Sequence, residues 1–513
     1  MRLRLLSSRV WGIALGMIVG GCASPLPEDA FIRARLLTPE PVETGTTPAE
    51  LPAAPRLGLV EQPGSEVPLT PKEVRDSVER HFPLLLAVEQ DRVIAAGQVL
   101  AAEGAFDLNL RSKYTNQFGS FENDRFDILA EQPLAAGGGS IFTGYRFGFG
   151  SFPVYYGDRY TATGGEARAG IQLPLLRDSA IDRRRAALRQ AQIQRNIADP
   201  VIRRARLDYH RNATKTYWNW VGVGEQYRVA DALNRIAMER QKGLELQFKQ
   251  GQVNEFVVID GRRILAEREG ALFGTERRWQ QASFEVSLFL RDDAGNPVVP
   301  DASRLPKGFP TSAPPIPQAD KLAESVEIAF SQRPELVRFG LLRERAGVDL
   351  ALAQNQTLPG LNAGFAGAQD MGEAKKGSGS LAPDLSTFEG FVSLDLPLQR
   401  REARGRVQMA QGQIAQLTAQ ERFARDQIRA EVQDAVSGLD RTYQRWTRAV
   451  QELKVSQRVA ELERERFRLG QSNLLEVNLR ELAAAQAQAK VIESLTEYFR
   501  TFADYAAAIG STE

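Results

Sequence analysis

The sequence predicts a mixed α+β fold in which pairs of two-faced strands and long helical hairpins are written twice in tandem. Three observations carry this reading. The phrase "FKQGQVN" at Phe248–Asn254 returns as "FRLGQSN" at Phe467–Asn473, an offset of 219 residues (467 − 248). Apolar periodicity switches within each half from helical to period two and back to helical. A Pro-rich stretch, Asn296–Pro317, divides the two copies.

Composition narrows the function. The chain has 513 residues with 65 basic and 64 acidic side chains, and a formal charge of +1 argues against nucleic acid as a partner. Its two histidines, His81 and His210, stand far apart with no Cys or carboxylate cluster at metal-ligand spacing, so both read as ordinary surface or packing residues. There is no phosphate-cradling Gly-Lys-Ser/Thr loop and no Gly-x-Ser-x-Gly elbow; "GGGS" at Gly137–Ser140 precedes a strand-like run. No catalytic site, metal or cofactor is expected, and an enzyme is the least favoured class.

At the N-terminus, Arg2, Arg4 and Arg9 precede the apolar run Val10–Val19, which is too short for a comfortable membrane span. Residues 1–21 therefore read as a signal peptide. The run ends in "VGGC", and Cys22 is the only cysteine of the chain. This resembles a bacterial lipobox, in which the thiol is acylated and the chain is cut before it. Ala23 and Ser24 follow with no Asp at the sorting position, which by resemblance favours the outer membrane. Residues 22–68 then hold nine prolines, a density that prevents helix and marks a linker or surface-wrapping arm.

The two repeats are read as 69–295 and 318–513, with 296–317 between them. "HFPLLLAVEQ" from His81 answers "QRPELVRFGL" from Gln332, and "IQLPLLR" at Ile171 answers "LDLPLQR" at Leu394. After the helices that follow Pro83 and Pro334, alternation begins. Leu108, Leu110 and Tyr114 oppose Asn109, Arg111 and Lys113. Ala167, Ala169, Ile171 and Leu173 oppose Glu166, Arg168 and Gln172. The second half repeats this with Leu361, Ala363 and Phe365, and with Phe388, Val392 and Leu394 against Glu389, Ser393 and Asp395. Such strands suit either a half-buried soluble sheet or a membrane barrel. The first half has 66 positions from Leu108 to Pro174 against 36 from Leu361 to Pro397. The surplus, near residues 119–163, reads as an added hairpin or a long surface loop, with Tyr145, Phe147 and Phe149 alternating as in a strand.

From Glu402 to Phe467 almost nothing breaks helix, which at 1.5 Å per residue is a rod of roughly 100 Å. Val455, Val459, Leu462 and Leu469 fall at coiled-coil spacing, and Leu482, Ala485, Ala489, Ile492 and Phe499 offer the returning seam. In the first half Asp199 and Pro200 read as a helix restart or kink. The recurring phrase then has a local meaning. Gly251 and Gly470 suit left-handed helix ends, and Asn254 and Asn473 suit the N-caps of returning helices, with Glu476 at N3 as in a capping box. Each copy is the tip of an antiparallel helical hairpin.

In this order and in two copies, the "P-x-L" helix starts, the "LPL" junctions and the "F-x-x-G" tips resemble the TolC-like outer-membrane efflux proteins, over roughly Leu69–Gly510. The resemblance implies an α+β membrane protein. Three protomers would each give four strands to a shared twelve-stranded β-barrel in the outer membrane and their coiled-coil helices to a periplasmic α-barrel. Open sheet edges are not tolerated in hydrocarbon, which independently demands shared closure. The implied partners are two further copies, outer-membrane lipid, a periplasmic adaptor protein and, through it or directly, an inner-membrane transporter. The tips at Gly251 and Gly470, with Val253, Phe256, Leu469 and Leu474, are the expected adaptor-docking surface. Acidic residues past the second tip line the family's narrowest point. The matching positions here are Glu476 and Leu479, and Asp260 of the first half stands where Leu479 breaks the pattern. The expected function is the exit duct of a tripartite efflux system. The alternatives are the duct of a type I protein-secretion system, or a coiled-coil lipoprotein scaffold without a pore.

Overall fold

Two short helices open each repeat, and a proline at the first helical position starts the second of each pair. They are α1 (Pro71–His81) and α2 (Pro83–Glu103), then α5 (Leu322–Gln332) and α6 (Pro334–Asn355). The computed structural model describes residues 67–153, 161–310, 321–372 and 386–511. The signal-like segment, Cys22, nearly all of the Pro-rich arm and residues 311–317 of the inter-repeat stretch lie outside them.

Between the helix pairs and the long helices run β1 (Asn109–Gln117), β2 (Asn123–Pro133), β3 (Ser140–Gly150) and β4 (Glu166–Pro174) in the first repeat, and β5 (Gly360–Asp370) and β6 (Thr387–Asp395) in the second. All neighbours are antiparallel and the spatial order is β1-β2-β3-β4-β5-β6, an open sheet. The expectation of four strands is thus corrected to six. The surplus of the first repeat is the hairpin β2–β3, and it lies inside the sheet between β1 and β4. It changes the spacing of the repeats: the first helix recurs after 251 residues (Pro71 to Leu322), the long helix after only 218 (Arg183 to Arg401).

Two long helices leave the sheet, α3 (Arg183–Lys249, 67 residues) and α7 (Arg401–Arg468, 68 residues). Each is about 100 Å long. They return as α4 (Glu255–Ser287) and α8 (Leu474–Ala508). Both sheet-to-helix junctions hold a non-glycine residue in the left-handed region, Asp178 (φ 69) and Arg400 (φ 49). The helix does not restart at Pro200. The ring is buried inside an unbroken α3, and Asp199 holds Arg92 of α2 at 2.8 Å in place of a cap.

The helices lie side by side. α3 packs against α2, α4, α6 and α8, and α7 packs against α6 and α8. This leaves α2 and α4 on one flank of the layer and α7 on the other. The expected α7 seam is also corrected. Ala449, Ala460 and Glu463 are buried, while Val455 is 64% exposed and Val459 and Leu462 are exposed as well. Small side chains let α7 and α8 approach closely, so the longer apolar residues are turned onto the protomer's flank.

The main core belts the middle of the helices. Trp220, Tyr217, Leu85, Val78 and Tyr498 are buried there, and Trp218 stacks on Phe499 at 4.2 Å. A Cβ at Gly222 would collide with Thr496 of α8, so a glycine there permits this close crossing. The residues flanking the repeats join the belt. Leu69 N–H donates to Arg304 O (2.8 Å), Tyr217 Oη donates to Leu69 O (2.8 Å), and Leu305 is buried. His210 sits 2.7 Å from Glu79, a packing role.

Candidate functional site

The hairpin tips are built identically. α3 ends at Lys249, Gly251 takes φ +73, Gly251 N–H donates to Phe248 O (2.9 Å) and Gln252 N–H to Gln247 O (2.9 Å). α7 ends at Arg468, Gly470 takes φ +73, and its N–H and that of Gln471 donate to Phe467 O (3.0 Å) and Arg466 O (2.9 Å). These paired bonds satisfy the last carbonyls of each helix, and glycine alone enters the turn without a Cβ penalty. Asn254 Oδ1 accepts from Val257 N–H (3.1 Å) and Asn473 Oδ1 from Glu476 N–H (2.9 Å), starting the return helices. Phe256 (75% exposed) and Leu469 (67%) project from the two tips, while Val253 and Leu474 are half-buried.

Both acidic gate candidates stand just beyond the tips, and each has an arginine of its own helix beside it. Asp260 Oδ1 accepts from Arg263 Nε at 3.0 Å, and the Glu476 carboxylate lies 3.5 Å from Arg480. Half of the expected capping box forms: Asn473 accepts from the Glu476 backbone N–H, while the Glu476 carboxylate turns along the helix toward Arg480. Leu479 is exposed.

A group that sequence reasoning missed ties the two hairpins together. Glu481 of α8, buried, accepts from Arg240 Nη2 of α3 at 2.9 and 3.0 Å and from Arg464 Nε of α7 at 2.7 Å. Arg240 also donates to Asn478 Oδ1. One carboxylate thus crosslinks three helices and both repeats. Its signal was an acid four residues after the buried Val477, on the inward stripe of α8.

At the opposite end the sheet has two unlike faces, because opposed residues of neighbouring strands share a face. One carries Leu110, Tyr114, Phe126, Ile128, Ile141, Tyr145, Phe147, Ile171, Phe365, Phe388, Val392 and Leu394. The other carries Arg111, Lys113, Asp127, Glu131, Arg146, Glu166, Arg168, Glu389 and Asp395. Polar residues on the apolar face are few: Asn116, Asp124 and Gln369 at the end remote from the helices, where Tyr114 Oη donates to Asp124 (2.6 Å), Ser112 and Thr143 midway, and Gln132 at the helix end. Every residue of β6 and most of β1 are exposed, so both sheet edges lack neighbours within one chain. At the β4–α3 junction, burial raises the pKa of the Asp178 carboxyl despite the neighbouring Arg177 guanidinium.

Neither a protein-family model nor a curated protein sequence matches the chain. Solved structures do. The CmeC outer-membrane channel of Campylobacter jejuni superimposes with a TM-score of 0.61 at 14% identity, covering 86% of this chain and 85% of that one. The chain has the TolC-like outer-membrane channel fold. The MtrE outer-membrane channel of Neisseria gonorrhoeae, in its open state, gives 0.59 at 14% identity over 86% and 89% of the two chains. The outer-membrane protein VceC of Vibrio cholerae gives 0.61 at 16% over 86% and 97%. Among the described residues of this channel-like fold no helix is long and apolar enough to cross a membrane, and no group of His, Cys, Asp and Glu could hold a metal.

Proposed function

We propose that the protein is the outer-membrane exit duct of a tripartite efflux system, a passive conduit formed by three copies. The observation that carries this is the pairing of unfinished flanks. β1 and β6 leave unpaired ladders of nine residues each. On the β1 side α4 exposes Ile259 and Phe273, and on the β6 side α7 exposes Phe423, Val455 and Leu462. Hydrocarbon does not tolerate an open sheet edge, and such apolar flanks seek cover. A ring of identical copies joins β6 to β1 and α7 to α2 and α4 in one operation.

The apolar sheet face then meets lipid, the charged face lines a water-filled pore, and the helices extend into the periplasm. Acylated Cys22 adds a tether to the same membrane. The tips, with exposed Phe256 and Leu469, meet the hairpins of a periplasmic adaptor, which couples the duct to an inner-membrane transporter. Glu476 and Asp260 ring the narrow periplasmic mouth.

The test is assembly and conduction. Purified in detergent, the protein should have three times the protomer mass by light scattering and should open cation-conducting channels in planar bilayers. A monodisperse monomer, soluble without detergent, would refute the duct. For the anchor, Cys22→Ser should abolish incorporation of radiolabelled palmitate; unchanged labelling overturns that part alone.

A further inference from the structure

We infer that the outer-membrane pore of this protein is an eighteen-stranded barrel, six strands from each of three copies, and is wider than the twelve-stranded pore that four strands per copy would close. The inference rests on the trimeric duct proposed above and turns on the hairpin β2–β3.

Three features make that hairpin barrel wall. Its two strands of eleven residues have the length of a tilted membrane strand (about 9–11 residues), and they are laddered on both sides: nine residue pairs with β1, eleven within the hairpin and seven with β4. It carries the same two faces, with Phe126 and Ile128 opposite Phe147 and Tyr145 on the apolar side and Asp127 opposite Arg146 on the charged side. Ion pairs on the charged side stitch it to both neighbours. Arg111 of β1 reaches Glu131 of β2 (3.5 Å), Arg146 of β3 holds Glu166 of β4, and Arg168 of β4 reaches Asp127 of β2 (3.5 Å). This last pair spans β3, whose residue opposite Arg168 is Gly144. A hairpin lifted out of the sheet would break all three pairs.

Geometry agrees. Six strands spaced about 4.8 Å and tilted about 45° span about 41 Å of wall. The four helices of one protomer, about 10 Å apart, span about 40 Å, whereas four strands would span only about 27 Å. Barrel and helical tunnel therefore have matched girth, and the duct keeps its bore into the membrane. Three such sheets close a barrel about 39 Å across between backbones, against about 26 Å for twelve strands. The mouth thus admits bulky cargo, and a wall of interleaved acids and bases does not sort that cargo by charge.

The experiment compares the full-length protein with a variant lacking Phe121–Thr163, so that β1 turns directly into β4. Electron cryomicroscopy of trimers in lipid nanodiscs should count eighteen strands in the wild type and twelve in the variant. The size limit for polyethylene glycols entering from the outer face should fall by at least about one third in diameter in the variant. A wild-type trimer with twelve wall strands and the hairpin outside the barrel overturns the inference and leaves the duct intact. Absence of any closed trimer overturns both. If the variant does not assemble, the wild-type strand count decides alone.

Discussion

Removing the charge of Glu481 should loosen the periplasmic tips and leave the rest of the protein intact. In Glu481→Gln the side chain keeps its shape and one acceptor but no longer offers a carboxylate to Arg240 and Arg464. Hydrogen bonds to a charged partner contribute about 1.5–3 kcal/mol each, and losing one partner of a buried pair costs more. Here Arg464 is half exposed and Arg240 about one quarter exposed, so water compensates both in part. A cost of about 2 kcal/mol remains, equivalent to about a 30-fold shift in local opening. Hydrogen exchange read by mass spectrometry on trimers should show amides at the end of α7 and the start of α8 exchanging about 30 times faster, with those around Trp220 unchanged. Single-channel conductance should rise as the tips part. Exchange within twofold of wild type at both tips would refute the claim that this carboxylate holds the hairpins together.

Three further outcomes are expected. Glu476→Gln and Asp260→Asn trimers should lose cation selectivity and block by multivalent cations with little change in thermal stability; lower stability with unchanged selectivity would leave them structural residues only. Gly251→Pro or Gly470→Pro, which cannot adopt φ +73, should abolish efflux while trimers still reach the outer membrane, and surviving adaptor cross-links would place docking elsewhere. Burial, with Tyr443 beside it, pushes the Tyr498 hydroxyl up to about 12, and burial raises Tyr217 as well. Both are neutral in the folded protein, so their stabilising effect is whole below about pH 10 and is lost as pH rises through about 12 for Tyr498 and higher still for Tyr217. Ultraviolet titration should show them ionising only with alkaline unfolding, after the exposed tyrosines.

Local patterns were legible without coordinates because they obey local rules. The tips at Gly251 and Gly470 are dictated by one glycine and one asparagine at fixed offsets, and the two-faced strands by alternation of period two. The tandem plan followed from comparing the chain with itself. The hairpin was visible only as a surplus of residues with alternating aromatics. Its insertion between β1 and β4 depends on ladder bonds and on Arg168 reaching Asp127, a pair 41 residues apart. Pro200 does not restart the helix, because a proline removes one helix bond locally and packing around a buried ring in a 67-residue helix outweighs that loss. The α7 seam misled because spacing identifies an apolar stripe but not its partner. Val455 and Leu462 are as apolar as a seam requires, yet the close approach of α8 is made by alanines, and the larger residues face the flank. Glu481 was hidden for the same reason: a carboxylate becomes a crosslink only when the fold brings arginines from two distant helices to within 3.0 Å. Period and turn chemistry act over a few residues and can be read along the chain. Which face meets which neighbour is decided by the sum of many contacts across it, and that sum exists only in three dimensions.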